Sequence, residues 1–428
     1  MNNEKTDYKP RIVDEELKRK LAVGAVLVEG AKWCGKTSTA EVQAKSVLYM
    51  DDPKNKEQNI SLAENSPDLA LDGETPRLID EWQLVPKLWD AVRFEVDHRK
   101  DGPQFILTGS AVPPDLSQIS HTGTGRIARL LMRPMSLFES GDSGGTVSLR
   151  KLFDQPKQIS GEAKLSLNEL AFLACRGGWP KATNYENEVA LTLSEAYYAG
   201  LVNSDISRVD NTNRSPITTK RILRSYARFQ GQQTPYEQIK TDIESGEGIT
   251  ISIDTVYDYI NALRNIFVIE DAPSWNPNLR SKAAIRTTDT RYFVDPSIAT
   301  QALGLKPADL INNLNTFGFI FEDLCIRDLR TYAEAMGQTV SHYRDSNGLE
   351  CDAVVHSDNG KYGLIQIKLG SDEKSIAQAV EKLNEFDKTL DFEKMSKPAF
   401  RMVLCGNCPH AYRREDGIYI VPIGCLKP

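Results

Sequence analysis

Gly30-Ala31-Lys32-Trp33-Cys34-Gly35-Lys36-Thr37 is the stretch on which the reading of this chain turns. Its spacing is glycine, four residues, then Gly-Lys-Thr, and the apolar run Val26-Leu27-Val28-Glu29 leads into it. That order predicts a short buried strand, a tight turn on glycine, and a helix opening through Ser38 to Ala44. A helix N-terminus entered this way carries bare amide groups and attracts anions. Gly30 and Gly35 let the backbone approach a phosphate chain, and Ala31, Lys32, Trp33 and Cys34 serve through their amides rather than their side chains. Lys36 is expected to reach the β and γ oxygens of ATP, and Thr37 to offer its hydroxyl to Mg²⁺.

Pro76-Arg77-Leu78-Ile79-Asp80-Glu81 reads as a second short strand, ending in two carboxylates. Asp80 is placed to hold Mg²⁺ through its water shell, as the acidic residue ending a neighbouring strand does in P-loop NTPases. Glu81 is placed to polarise the attacking water, which separates a hydrolase from a nucleotide binder. Gln104 to Ser110 supplies another apolar strand capped by small hydroxyl residues, so that Thr108 or Ser110 can sense the γ-phosphate. Ligands of open α/β sheets bind at the carboxyl ends of strands, where all three segments stop. A cationic stretch, Thr122 to Arg129, follows. Arg126 or Arg129 is expected to neutralise transition-state charge, in its own subunit or across a subunit boundary.

The 428 residues exceed one hydrophobic core and imply two or three domains. No run of eighteen apolar residues occurs, and Met1 to Lys9 is polar and mixed in charge, so neither a membrane span nor a secretion signal is expected. Seven cysteines without a framework spacing suit reduced thiols in the cytoplasm. A net charge of -7 opposes wholesale attraction to nucleic acid.

Ser140-Gly141-Asp142-Ser143-Gly144-Gly145 marks a turn-rich break. A mostly helical stretch is expected from about Leu165 to Leu263, with Pro216 interrupting it. Ser252 to Asn265 reads as a helix and Phe267 to Asp271 as a strand, which together give a winged-helix order. Asp254 and Asp258 on the outward face of that helix oppose DNA phosphates. Lys220, Arg224 and Arg228, with Arg221 alongside, form a better suited basic face, although charge runs on helices are commonly solvated.

From about Phe317 the order is helix, strand (Gln338 to Arg344), strand (Glu350 to His356), strand (Tyr362 to Lys368), helix (Asp372 to Lys388), strand (Phe400 to Cys405). This αβββαβ order resembles the restriction-endonuclease-like fold. The resemblance implies a metal site from Glu322, Glu350, Asp352, Gln366 and Lys368, with carboxylates for Mg²⁺ or Mn²⁺ and a lysine beside the activated water. Nuclease-competent members usually carry glutamate where Gln366 stands, so a binding platform is the expected role. Cys405-Gly406-Asn407-Cys408-Pro409-His410, with Cys425, lacks the second close ligand pair of common zinc modules; Cys405 is read as a strand end and Asn407 to Pro409 as a turn. Trp82 and Trp89 are read as core residues.

Tyr8 to Ile12, the glycine-lysine loop, Ile79 to Gln83, Leu107 to Ser110 and Arg133 to Glu139 resemble bacterial AAA-type ATPases that carry a C-terminal domain of unknown function. Tyr292 to Ala299 and Phe321 to Leu324 resemble that second domain. The expected chain is α/β, with a P-loop NTPase domain on an AAA-type parallel sheet over 1–145, a helical, winged-helix-like region over 146–310, and the restriction-endonuclease-like domain over 311–428. The expected function is Mg²⁺-dependent ATP hydrolysis that controls the C-terminal domains. The alternatives are a nucleotide-gated signalling or defence switch acting on a protein partner, and an ATP-regulated nuclease. A homo-oligomer is a possible assembly; DNA is a possible but unfavoured ligand.

Overall fold

The computed structural model describes residues 8–99, 102–110, 123–186, 188–210, 212–276, 288–345, 348–357, 359–389 and 396–428; Thr122 lies outside them. The chain divides into two compact units. The first comprises Met1–Pro134, Gly200–Ser215 and Asn261–Val268, and the second Met135–Ala199, Pro216–Ile260 and Ile269–Pro428.

The first unit is built on strands β1 (Ala25–Glu29), β2 (Ser46–Tyr49), β3 (Arg77–Asp80), β4 (Phe105–Gly109) and β5 (Ile127–Leu131). They form one sheet in the order β2-β3-β4-β1-β5, every pair parallel. A parallel sheet needs crossover helices on both faces, so its central strands are apolar throughout. Residues 25–28 and all of β4 are buried accordingly. Leu17, Leu21 and Ala40 of the helices Val13–Leu21 and Lys36–Gln43 pack with Val26, Val28, Leu78 and Ile106. Leu88, Trp89 and Val92 of the helix Lys87–His98 pack with Leu27, Ile79 and Leu107 of the alternate residues. Trp82 joins that second layer, 5.2 Å from Trp89, so both tryptophans are core residues as their sequence context implied.

The second unit holds β6 (Val147–Ser148), β7 (Gly161–Glu162), β8 (Thr339–Arg344), β9 (Glu350–His356), β10 (Tyr362–Lys368), β11 (Phe400–Cys405), β12 (His410–Arg413), β13 (Tyr419–Pro422) and β14 (Leu426–Lys427). Seven of them form a mixed sheet in the order β7-β12-β13-β11-β10-β9-β8. The helices Leu314–Glu334 and Glu373–Thr389 complete the αβββαβ order read from period-two patterning. Ile376, Ala379, Leu383 and Phe386 pack with Val354, Leu364, Val403 and Ile420 in its core.

A buried ionic junction joins distant stretches of this unit. Arg327 reaches Asp295 Oδ2 at 3.0 Å and Asp328 Oδ1 at 2.8 Å. Gly178 N also donates to Asp295 Oδ2 at 2.8 Å, and Leu137 N donates to the second oxygen of Asp328 at 2.9 Å. Asp295 additionally caps the helix Pro296–Leu303 by accepting from Ser297 N.

Two sequence expectations change here. The turn-rich stretch ending at Gly145 was expected to close the first domain, yet residues from Met135 onward belong to the second unit. Ser143 donates to Leu426 O at 2.7 Å, and β6 pairs with β14. Those partners lie some 280 residues away in sequence, beyond the reach of local punctuation. The strand expected over Phe267 to Asp271 reduces to isolated antiparallel bridges, Ile269 with Phe293 and Ala272 with Thr290. Phe267 adopts a φ of 58°, outside the extended region. Pro216 does interrupt the helical stretch as expected: it opens the helix Pro216–Arg228 after the irregular residues 212–215, where its missing N–H costs nothing.

Candidate functional site

The loop leaves β1 at Glu29 and enters the helix at Lys36. Gly30 has a φ of 151°, and a Cβ there would lie 2.0 Å from Met132 O. Met132 N itself donates to Glu29 O at 2.7 Å, so the neighbouring chain cannot move away without breaking that bond. Trp33 and Gly35 also take left-handed angles, 67° and 102°. The Cys34 side chain is fully buried. The Trp33 and Lys32 side chains face outward, Lys32 meeting Asp205 at 2.8 Å. The loop therefore works through its backbone. Lys36 Nζ lies inside it, 2.9 Å from both Gly30 O and Ala31 O, and is 6% exposed.

Sheet register brings in the rest. Tyr49, Asp80, Thr108 and Val28 form one row, because β4 is inserted between β1 and β3. Asp80 Oδ1 accepts from Thr37 Oγ1 at 2.8 Å and from Thr108 Oγ1 at 2.5 Å. Burial raises the Asp80 pKa, and the two hydroxyls oppose that rise. A hydroxyl and a carboxylate converging at the mouth of a phosphate loop are hard oxygen donors of the kind Mg²⁺ takes beside substrate phosphates. The residues present fit that ion.

Glu81 follows β3 in a left-handed conformation, φ 56°, unusual for a residue with a side chain. Its carboxylate accepts from Gln83 Nε2 and, at 3.3 Å, from Ser110 Oγ. Burial raises its pKa, with Lys36 pulling the other way.

Arg126 and Arg129 are not brought to this site. Ala25 N donates to Arg126 O, which fixes Arg126 at the amino end of β1, about 16 Å along the strand from the loop. Its guanidinium pairs with Asp97 at 2.8 Å. Arg129 pairs with Glu29 at 3.0 Å and lies over the Trp89 ring. Within its own chain Arg126 therefore stands away from the loop. The sequence places both arginines near the motifs, but strand direction decides at which end of the sheet they emerge.

Four contributors escaped sequence reading. Arg11 donates to Cys34 O and to Arg133 O, 2.8 Å each, and so holds the loop to the strand exit after β5. Asp51, just beyond β2, bears on both Asp80 and Glu81 by its charge. Gln83 orients Glu81, and its Oε1 is buried with no partner among the described residues. Asp205 comes from a segment remote in sequence. Only Asp51, a carboxylate ending an apolar run, left a signal that could have been noticed.

The C-terminal set meets in space. Tyr292, Glu322, Arg344, Glu350 and Asp352 line a cavity of about 40 Å³. Glu350 is drawn to Lys382 at 2.5 Å, Asp352 accepts from Ile367 N at 2.6 Å, and Glu322 accepts from the Tyr292 hydroxyl. Gln366 donates to Glu350 O, and its Oε1 lacks a partner among the described residues. Lys368 is half-buried at the end of β10 and acts on Glu322 by its charge. Burial and the facing Asp352 raise the Glu322 pKa. Each carboxylate thus has a protein partner, and among the described residues no three His, Cys, Asp or Glu side chains are grouped so as to hold a metal. Cys405 ends β11 as expected, and Cys408 Sγ faces His410 O.

A five-stranded parallel sheet whose first strand feeds a Gly-Lys-Thr loop, with an aspartate ending the strand two places away, resembles the sheet of a P-loop ATPase domain. Residues 23–140 match the family described as AAA domain. Residues 167–309 and 317–426 match two families described as domains of unknown function, DUF8612 and DUF4143. An uncharacterized protein of Mycobacterium tuberculosis is 22% identical over 342 residues, covering 79% of this chain and 69% of its own. Among solved structures, the Walker-type ATPase of Pyrococcus abyssi aligns with a TM-score of 0.40 and 14% identity, over 69% of this chain and 96% of that one. The Aeropyrum pernix ORC1 protein in complex with DNA aligns with a TM-score of 0.25 and 13% identity, over 72% and 96%. No helix among the described residues is long and apolar enough to cross a membrane.

Proposed function

We propose that the chain binds ATP with Mg²⁺ on the loop Gly30 to Thr37 and hydrolyses it, and that this cycle controls its C-terminal unit. The observation that carries the reading is the convergence of the Thr37 and Thr108 hydroxyls on one oxygen of Asp80, beside the Lys36 ammonium. Thr37 and Asp80 would hold the metal, which would offset the charge of the phosphates. The loop amides grip the phosphates, Lys36 leaves the carbonyls of Gly30 and Ala31 for phosphate oxygens, and Thr108 and Ser110 lie where the terminal phosphate is sensed. Glu81 takes the proton of the attacking water.

Two observations favour slow intrinsic turnover, the behaviour of a nucleotide-gated switch that acts through a protein partner. Gln83 and Ser110 engage the Glu81 carboxylate, and Arg126 lies at the wrong end of its own sheet to assist. An arginine supplied by a second copy of the chain would then accelerate the reaction. Nuclease activity is the weaker reading, because Glu350, Asp352 and Glu322 each have another partner. The winged-helix-like reading of the middle region rests on helix order alone.

The test is ATP binding and turnover by two variants. Lys36→Ala should abolish ATP binding at the loop Gly30 to Thr37. Glu81→Gln should retain binding and lower hydrolysis by roughly 10²–10⁴. Parent-rate hydrolysis by Glu81→Gln would remove Glu81 from the mechanism.

A further inference from the structure

The helix Pro216–Arg228 turns Lys220, Arg221 and Arg224 into a surface cavity of about 520 Å³, closed by Tyr198 and the turn Gln301 to Gly304. That volume falls within the range of small-molecule sites. Lys220 and Arg224 lie one helical turn apart and are exposed, and neither forms an ion pair among the described residues. No carboxylate lines the cavity. Glu195, one helical turn before Tyr198, is paired with Lys306. The closing helix points its carboxyl end here, but Gly304 N and Leu305 N already occupy the carbonyls of Gln301 and Thr300. Burial lifts the Tyr198 pKa to about 12, which keeps its hydroxyl a donor.

What surrounds the cavity selects the size of its ligand. Arg228, one turn beyond Arg224, is held by Asp242 at 2.9 Å. The next helix, Tyr236–Glu247, carries Glu237, Asp242 and Glu244. A nucleic-acid strand needs a cationic track that continues along its backbone. Here the free positive charge ends within about a turn and is backed by a concavity.

We propose that this cavity is a second anion site, independent of the ATP loop, that takes a compact phosphate ester of nucleoside-diphosphate size through Lys220 and Arg224. Inorganic pyrophosphate and ADP, titrated separately by calorimetry into the full chain carrying Lys36→Ala, test it. One equivalent should still bind, and Lys220→Glu with Arg224→Glu should weaken it at least tenfold. Equal affinity for the two probes identifies the phosphates as the recognised group, and tighter ADP adds the nucleoside. Both cations are exposed on the helix, so their replacement spares the core. If Lys36→Ala does not fold, both probes are titrated into the wild-type chain, where Lys220→Glu with Arg224→Glu should remove one of two binding events. No uptake, uptake indifferent to the charge reversals, or binding of a single-stranded oligonucleotide in place of both probes would overturn the proposal. None of these results would bear on the loop, whose failure shows instead as nucleotide binding that survives Lys36→Ala unchanged.

Discussion

Gly30 shows how one position constrains chemistry. Its φ of 151° and the Met132 carbonyl 2.0 Å from any Cβ exclude a side chain on both conformational and steric grounds. Gly30→Ala should therefore displace the loop and lose most ATP affinity while the chain stays folded, which circular dichroism and calorimetry together will show. Glu81 makes a prediction about pH. Its folded pKa is raised by burial, and only the ionised form can accept a proton. The ATPase rate should then fall, as pH drops, at a higher pH than an ordinary glutamate would dictate. A rate profile for the parent that stays flat down to the usual carboxylate range would contradict this. These residues were legible because their spacing is contiguous. The partners that tune them, Arg11, Gln83 and Asp205, were not, since nothing in their neighbourhood marks which distant group each will meet.

Elements were the most readable level. The bounds of β9, β10 and β11 coincide with those expected from sequence, because each is a short, largely apolar run bounded by turn residues and buried along most of its length. The helix Leu314–Glu334 was placed with nearly equal success, yet its main structural feature was hidden. Arg327 on that helix is fully buried between Asp295 and Asp328. Replacement by methionine keeps the volume but strands two carboxylates away from water. Arg327→Met should cost about 3–5 kcal/mol in urea unfolding of the chain. A loss within experimental error would mean that the junction relaxes or fills with water. Failure to recognise it from sequence has a plain cause. A mid-helix arginine beside an aspartate reads as surface, and only the packing of Leu137, Gly178 and Asp295 around it makes the site an interior.

At the scale of the whole molecule, assembly is the testable consequence. Arg126 cannot reach the ATP loop of its own sheet, and its guanidinium is about half exposed beside Asp97. If it acts in a neighbouring copy, an equimolar mixture of Arg126→Ala and Glu81→Gln chains should hydrolyse ATP faster than the sum of the two alone. A mixture that only averages them would leave Arg126 as a surface ion pair. What the sequence determined unaided was local: the phosphate loop, the acidic strand end, and the order of helices and strands, because turn chemistry and hydrophobic period act over a few residues. The tertiary structure alone decided which end of the sheet Arg126 occupies, that Arg228 is neutralised by Asp242 while Lys220 and Arg224 are not, and that Glu350 turns to Lys382. Those outcomes depend on strand order and helix packing, which bring together charges far apart in the chain, and the pairing each charge adopts is set by the burial they share.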